Sequence, residues 1–190
     1  MRKYDILMVG VGGQGTILAS RILAHIGQSM GYDIKVSEIH GMAQRGGSVV
    51  TQVRMGDKVY SPLIEEGGAD VILAFEKLEG LRWLNYLKPG GGMIVNNQSI
   101  YPVPVLAGLA QYPEDINGYL KARVKDLVVA DADKIAGECG NVKAANVVLV
   151  GVLSGRLSFP EDKCQEALAA RVPPKFLDVN RKAFYAGYGL

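Results

Sequence analysis

A short apolar run, followed by glycines and then an amphipathic segment, constrains the fold of this chain most strongly. Residues 6–9 are all apolar, and Gly10, Gly12 and Gly15 follow in the pattern G-x-G-x-x-G. From Gly15 onward, apolar residues recur at three-to-four spacing, which is typical of one face of a helix. We therefore predict a strand, a glycine loop and a helix, the unit that opens many nucleotide-binding α/β sheets.

Later segments alternate between the strand and helix patterns. Strands are predicted at residues 34–39, 71–76, 92–97 and from about 124, and helices at 78–87, 144–157, 160–172 and in the C-terminal tail. Residues 49–63 predict an antiparallel hairpin that turns at 55–57, and Pro89 with the three glycines after it is predicted to end the helix 78–87. With no internal repeat or linker, residues 1–190 are expected to form one α/β domain with a mainly parallel sheet and this inserted hairpin.

Charge and hydropathy exclude several classes of protein. The net charge is +2, and the basic residues are scattered with no run of five or six, so no electrostatic footprint for nucleic acid is present. The longest apolar stretches, such as 147–153, fall well short of the ~20 residues that span a bilayer, and the glycines from Gly10 onward interrupt any signal-peptide core. We expect a cytoplasmic protein without nucleic-acid or membrane partners.

The cysteine content limits any redox role. Cys139 and Cys164 are the only two cysteines, and they lie far apart without a CxxC companion. An iron–sulfur cluster or a structural zinc ion takes about four ligands, which this pair cannot supply. Because His25 and His40 are the only imidazoles, no metal site is predicted. If the protein belongs to a redox system, another chain must carry the electrons.

The glycine loop has two possible roles. Bare backbone at a helix N-terminus can receive a phosphate or a carboxylate, or the glycines can simply let the strand and the helix pack closely. Glu38 lies about twenty-three residues beyond Gly15, where dinucleotide enzymes place an acidic residue on the ribose. An NAD-dependent dehydrogenase therefore stays open as an interpretation.

The polar segment EIHGMAQRGGSVVTQVR, residues 38–54, departs from the dinucleotide pattern. Three glycines lie where a crossover helix is expected, so the second half-unit is interrupted by an irregular loop. Arg45 offers a planar donor fork suited to phosphate or carboxylate, and Gly46 and Gly47 would let that anion approach the backbone. His40 is either a ligand or a structural histidine, and Glu38 and Gln44 contact either a ligand or the loop itself.

A second candidate site lies at the carboxyl ends of the later strands. Glu76, Asn96 and Asn97 follow two predicted strands, and open α/β sheets bind ligands at this edge. The alternative is that these residues are turn and cap residues.

Four stretches are similar to one known family of enzyme subunits. GVGGQGTILASRILA, SEIHGMAQRGGSVVTQVR, VYSPLIEEGGADVILAFEKLEGLRWLNYLKPGG and IVNNQ resemble the gamma-type subunit of 2-oxoacid:ferredoxin oxidoreductases, and most closely its small-subunit (beta) form in the indolepyruvate branch. The resemblance implies a three-layer, Rossmann-like α/β fold. It also implies oxidative decarboxylation of a 2-oxoacid to an acyl-coenzyme A and CO2, with thiamine diphosphate and with 4Fe–4S clusters that pass electrons to ferredoxin.

The resemblance further implies a non-cluster subunit that is not active alone and to which no cofactor is assigned by itself; whether it contacts coenzyme A directly stays open. Thiamine diphosphate and the clusters would belong to a large (alpha) subunit, through which ferredoxin is an indirect partner. By position, the phosphate-facing loop comprises Gly10, Gly12, Gly13, Gln14, Gly15 and Thr16. The partner- and substrate-facing loop comprises Glu38, His40, Gly41, Gln44, Arg45, Gly46, Gly47 and Ser48. No catalytic acid or base is predicted.

Two alternatives to an indolepyruvate enzyme stay open. Within the family, the substrate could be pyruvate, 2-oxoglutarate or a branched 2-oxoacid, because a pocket shared between subunits takes its shape from both. Outside the family, the glycine loop alone would also fit a stand-alone regulatory protein that binds a nucleotide or coenzyme A.

Overall fold

The computed structural model describes residues 2–38 and 47–190, which form one six-stranded sheet covered by helices. The strands are β1 Tyr4–Val11, β2 Asp33–Glu38, β3 Ser48–Gly56, β4 Ala69–Ala74, β5 Leu87–Asn96 and β6 Asp126–Ala130. Their order across the sheet is β2-β3-β1-β4-β5-β6. Strand β3 is antiparallel to β1 and β2, and the other neighbouring pairs are parallel. The predicted mainly parallel sheet is confirmed.

Helices lie on both faces of this sheet. They are α1 Thr16–Ser29, α2 Lys77–Arg82, α3 Val103–Leu106, α4 Ile116–Arg123, α5 Ala132–Glu138, α6 Ala145–Arg156, α7 Glu161–Arg171 and α8 Leu177–Tyr188. Successive strand side chains point to opposite faces, so Ile6 and Met8 join one core cluster with α1, α6, α7 and α8. Leu7 and Val9 join a second cluster with α2 and α4. The expected three-layer arrangement is confirmed.

Only the first strand of the hairpin predicted at residues 49–63 forms, as β3. Residues 58–63 form no strand, and β3 pairs instead with β2 on one side and with β1 on the other. With both of its edges occupied, β3 has no free edge for a following segment. The Arg54 guanidinium donates to the carbonyl oxygens of Ser61 at 3.1 Å and Leu63 at 2.8 Å, so a side chain holds that backbone.

The predicted helix 78–87 is also too long. Helix α2 ends at Arg82, a 3-10 turn spans Leu84–Tyr86, and β5 already begins at Leu87. Pro89 and the three glycines after it therefore lie inside β5 and do not end a helix. Leu87 pairs with Ala69, and the register shifts before Val71 pairs with Gly92, so pairing with β4 decides where this segment becomes a strand.

Helices α6 and α8 are in backbone contact through glycines. Every residue of α6 from Asn146 to Ser154 is buried, as expected for a helix that is apolar all round. A Cβ built on Gly151 would lie 2.1 Å from the carbonyl oxygen of Phe184, and one built on Gly187 would lie 2.1 Å from that of Val148. The two helices can approach this closely only because side chains are absent at the contact.

Among residues 2–38 and 47–190, no helix has both the length and the apolar character needed to cross a membrane.

Candidate functional site

The glycine loop lies where the strand order reverses. From β1 the chain crosses through α1 to β2 on one side of the sheet, whereas β4 lies on the other side of β1. The carboxyl ends of β1 and β4 therefore adjoin at a topological switch point, where open α/β sheets bind ligands. The loop 12–15 follows β1 here, and Phe75 and Glu76 follow β4.

The Gln14 side chain fixes the glycine loop to both strands. Its Nε2 donates to the carbonyl oxygen of Phe75 at 2.8 Å and to Oε1 of Gln98 at 2.7 Å. Its Oε1 accepts from the backbone N–H of Val11 at 2.7 Å. Gln14 was predicted to lie in the loop. Its bond to Gln98 joins residues 84 positions apart, so no local sequence pattern could predict it.

The glycines of the loop fall into two groups. Gly10 and Gly15 are tightly packed, because a Cβ would lie 2.8 Å from Gln14 Oε1 at the first and 2.5 Å from Asn146 Nδ2 at the second. Gly13 has φ of 103° and open space within 4 Å of its missing Cβ. Close packing therefore explains Gly10 and Gly15, whereas Gly13 leaves exposed backbone that a ligand can approach.

The N-terminus of α1 is suited to an anion. Gly15 precedes the helix with φ of 78°, and no side chain of the described residues caps it. The first amide groups of a helix have no intrahelical partner and carry partial positive charge. Asn146 Nδ2 donates to the carbonyl oxygen of Gly15 at 3.0 Å and so holds the helix start in place. Asn146 was not predicted as a site residue.

Three cavities surround this loop. The first, of about 440 Å³, has a mixed lining whose polar members include Gln14, Asn96, Gln98, Asp133, Lys143 and Asn146. The second, of about 290 Å³, is lined by Gly12, Gly13, Gly15, Thr16, Ile17, Glu38, Val49 and Thr51. The third, of about 520 Å³, lies between Ser48, Glu79 and Arg82 and an apolar segment after β5. Small-molecule sites commonly measure about 300–1,000 Å³.

Two of the secondary candidates, Glu76 and Asn96, are buried. Glu76 is 1% exposed; it accepts from the N–H of Glu79 at 2.9 Å, and so caps α2, and from the Tyr112 hydroxyl at 2.6 Å. Asn96 donates to Asp133 Oδ2 at 2.8 Å.

The third secondary candidate lies at the surface. Asn97 donates to Asp131 Oδ1 at 2.8 Å and accepts from Asn117 at 3.0 Å. Glu76 thus caps a helix, whereas these bonds of Asn96 and Asn97 are to other side chains. Ligand contacts by the three residues stay a prediction.

The described ends of the predicted partner-facing loop contact the glycine loop and helices α1 and α2. Ser20 Oγ donates to Glu38 Oε1 at 2.7 Å, so the carboxylate at the end of β2 faces α1 beside the 290 Å³ cavity. The N–H of Gly12 donates to the carbonyl oxygen of Gly47 at 2.9 Å. Ser48 Oγ donates to Glu79. The remaining predicted residues of this loop lie outside the described part of the chain: His40, Gly41, Gln44, Arg45 and Gly46.

Glu79 is a buried carboxyl group on the wall of the 520 Å³ cavity. Burial raises its pKa, although the Ser48 hydroxyl and the Arg82 guanidinium, whose Nε lies 3.3 Å away, oppose the shift. A raised pKa in the folded state means that the folded chain binds more protons than the unfolded chain just above the ordinary pKa of 4.5. The free energy of unfolding should therefore fall as pH rises through that range.

Glu79→Gln should remove this part of the pH dependence, because the amide does not titrate. Urea unfolding of both chains between pH 4 and pH 8 would measure it, and Glu114→Gln, at an exposed position, serves as the matched control. Parallel pH profiles for wild type and Glu79→Gln would contradict the assignment.

Neither cysteine is placed to bind a cluster. Cys164 is buried between helices, and burial raises the pKa of its thiol to about 11, so the thiol stays protonated at neutral pH. In the described ranges no three residues of the types His, Cys, Asp and Glu are grouped to hold a metal ion. The chain has two cysteines in all, so four-thiolate cluster ligation is beyond its own residues.

Comparison with known proteins places this chain in a family. The family model described as pyruvate ferredoxin/flavodoxin oxidoreductase matches residues 5–190. The chain is 46% identical over 192 residues to indolepyruvate oxidoreductase subunit IorB of Pyrococcus horikoshii, with 98% of this chain and 95% of the relative covered. It is 44% identical to the subunit of the same name from Thermococcus kodakarensis, with the same coverage.

A solved structure shares the fold. The gamma subunit of a keto/oxoacid ferredoxin oxidoreductase from Geobacter sulfurreducens superimposes with a TM-score of 0.75 at 24% identity, with 100% of this chain and 96% of that chain covered. At that identity the likeness concerns the fold alone. The family match over nearly the whole length and the two relatives above 40% identity carry the assignment, and the chain belongs to the pyruvate ferredoxin/flavodoxin oxidoreductase family.

Proposed function

We propose that this chain is the non-cluster subunit of an indolepyruvate:ferredoxin oxidoreductase. The complex would oxidatively decarboxylate an aryl pyruvate to an acyl-coenzyme A and CO2 and pass the two electrons to ferredoxin. The observation that carries the proposal is 46% identity to an indolepyruvate oxidoreductase subunit over 98% of the chain. The described fold is compatible with it, because the glycine loop and the uncapped N-terminus of α1 lie at a topological switch point, and the chain has two cysteines.

The partner would be a large subunit with thiamine diphosphate and 4Fe–4S clusters. When bound there, thiamine diphosphate supplies the carbanion chemistry of decarboxylation and the clusters carry the electrons. The whole 190-residue chain would act as one gamma-type domain in the cytoplasm. Its own residues would bind and orient an anionic reactant and exclude water from a site that the partner completes.

Within this chain, the loop from Gly10 to Thr16 would face the phosphate groups of coenzyme A. The uncapped α1 N-terminus and the open backbone at Gly13 favour an anion there. The Gln14 contacts with Val11 and Phe75 hold the loop in this shape before a ligand arrives, and such preorganisation lowers the cost of binding. Lys143 adds a cation to the lining of the 440 Å³ cavity.

Arg45→Ala should raise the apparent KM of the complex for coenzyme A or for the 2-oxoacid by roughly ten- to a hundredfold, because a charge-assisted bond contributes about 1.5–3 kcal/mol. The kcat should change less if Arg45 contributes mainly to binding. Steady-state kinetics with each substrate varied in turn would measure this. Arg171→Ala, at an exposed position of α7, is the control. An unchanged KM for both substrates would show that Arg45 does not bind either of them.

Co-expression tests the function as a whole. This chain, carrying the only affinity tag, is co-expressed with the large-subunit candidate encoded beside it, and the product is assayed for 2-oxoacid-dependent reduction of a viologen dye with coenzyme A. We expect a brown complex that needs thiamine diphosphate and prefers indolepyruvate over pyruvate, 2-oxoglutarate and branched 2-oxoacids. Preference for one of the latter would correct the substrate. A colourless chain that binds coenzyme A or a nucleotide unaided would favour a stand-alone regulatory protein.

A further inference from the structure

A charge-free segment after β5 presents large apolar side chains to solvent. Residues 99–113, SIYPVPVLAGLAQYP, contain no Asp, Glu, Lys or Arg, and we call them the apolar flap. Four of its side chains are largely exposed: Tyr101 at 53%, Val103 at 74%, Leu106 at 70% and Leu109 at 83%. A surface segment normally carries charges, and depletion of charge is the compositional mark of an interface core.

The flap is anchored, so its apolar side chains are held outward. Glu76 accepts from the Tyr112 hydroxyl at 2.6 Å and from the N–H of Ile100 at 3.2 Å, which ties both ends of the flap to the buried cap of α2. The Tyr101 ring packs edge-on against Tyr112, with 5.0 Å between their centroids. Inside the flap, α3 and the bond from Leu109 N–H to the carbonyl of Pro104, at 2.8 Å, fix the backbone.

The size of this surface matches the largest apolar patch of a typical monomer and falls short of a whole interface. An aromatic side chain buries about 150–250 Å² and an aliphatic one somewhat less, so four side chains that are 53–83% exposed offer roughly 400–500 Å². The largest apolar patch of a typical monomer covers ~300–600 Å² and is often functional. A stable interface buries about 800 Å² on each partner, of which the four side chains would supply about half as its apolar centre.

The flap also borders the candidate site. Pro102, Val103 and Val105 line the 520 Å³ cavity opposite Ser48 and Glu79. Ile100 lines both this cavity and the 440 Å³ cavity at the glycine loop. A protein seated on the flap would therefore also cover the mouths of these two cavities.

We propose that the apolar flap is the surface on which the cluster-bearing large subunit docks. This inference rests on the proposed function, which requires that subunit to complete a site at the same edge of the sheet. The occupant has to bring an apolar face to Val103, Leu106 and Leu109, and by covering them it would close the shared site to water. A second copy of this chain would not supply the missing cofactors at this edge.

The test is a pair of charge substitutions in the tagged chain, co-expressed with the large subunit. Val103→Asp with Leu106→Asp should reduce the amount of co-purified large subunit at least tenfold, because carboxylates would be buried without partners. The control is Tyr60→Asp with Leu63→Asp. These side chains are 84% and 59% exposed. They follow β3, whose last residues pair with the start of β1, so they lie at the end of the sheet opposite the glycine loop. The control should assemble like wild type.

Thermal unfolding of each tagged chain alone keeps the test interpretable, because both pairs change exposed residues and should leave the melting temperature within a few degrees. A photo-crosslinking residue placed at position Leu109 gives a second measurement that needs no disruption. It should attach to the large subunit and not to another copy of this chain.

The outcomes separate this inference from the proposed function. Loss of the large subunit from the flap variant alone, with a Leu109 crosslink to that subunit, supports docking here. Equal co-purification by wild type and the flap variant, equal loss in both variants, or a crosslink only to a second copy would each overturn docking here while the function stands. A wild-type chain that assembles with no cluster-bearing partner would overturn the proposed function itself.

Discussion

Gly151→Ala is expected to lower the free energy of unfolding of the chain by about 3 kcal/mol or more. The new Cβ would lie 2.1 Å from the carbonyl oxygen of Phe184 and 3.0 Å from the N–H nitrogen of Tyr188, and both are backbone atoms that cannot rotate away. Helices α6 and α8 would have to separate, which would disturb the core cluster that contains Val148, Val152 and Phe184. Overpacking a core typically costs about 1–3 kcal/mol and occasionally more, and a contact to backbone belongs at or above the upper end. Total stabilities are only about 5–15 kcal/mol.

Gly137→Ala is the matched control for this prediction. Gly137 lies in helix α5, and a Cβ there would meet nothing within 4 Å. Alanine in an exposed helix position should raise stability by roughly 0.5–1 kcal/mol. Urea unfolding followed by circular dichroism compares the two variants. A Gly151→Ala chain as stable as wild type would mean that α6 and α8 do not approach as closely as described.

Gln14→Leu should disable the glycine loop with little change in side-chain volume. Leucine cannot replace the three bonds that Gln14 makes with Val11, Phe75 and Gln98. Each buried polar group left without a partner costs about 1–3 kcal/mol, so we expect a loss of stability of about 2–4 kcal/mol. Because the same bonds shape the loop that we propose faces coenzyme A, the affinity of the complex for coenzyme A should fall at least tenfold.

Calorimetric titration of the assembled complex with coenzyme A, together with urea unfolding of the chain, would measure both effects. Gln28→Leu, at an exposed position late in α1, should change stability by no more than about 0.5 kcal/mol and leave binding unchanged. A double substitution of Gln14 and Gln98 should cost less than the sum of the two single changes, since they share a bond. Normal coenzyme A binding by Gln14→Leu would show that the glycine loop does not bind coenzyme A.

Local sequence patterns were sufficient to predict most strands and helices of the parallel half of the sheet. The apolar run at 6–9 lies in β1, the glycines after it form the loop, and α1 begins at Thr16 beside the predicted Gly15. These predictions succeed because residues close in sequence set strand and helix periodicity and the φ angles at glycines. The short helices α3, α4 and α5 were not predicted, because each has at most eight residues and shows too little periodicity.

The sequence also predicted some residues of the candidate site and missed others. The sequence identified Gly15 by its spacing and Gly13 by the family resemblance. It did not reveal Gln98 or Asn146, which lie far along the chain and bond to the loop only when β5 and α6 are in place, or Asp133, which bonds to Gln98. Glu76 was identified as a residue at a strand end. Its cap of α2 is a local contact with Glu79, whereas its bond with Tyr112 joins residues 36 positions apart.

The sequence by itself therefore determined the glycine loop, the strand–helix alternation, the lack of cluster ligands and the resemblance to a family, all of which depend on local pattern or composition. Only the tertiary structure decided that β3 lies between β1 and β2, that β5 begins at Leu87, that α6 and α8 meet through glycine, and that the apolar flap faces solvent. The physical reason is that strand pairing, close packing and exposure depend on which distant segments come together, and local periodicity is the same whichever partner is found.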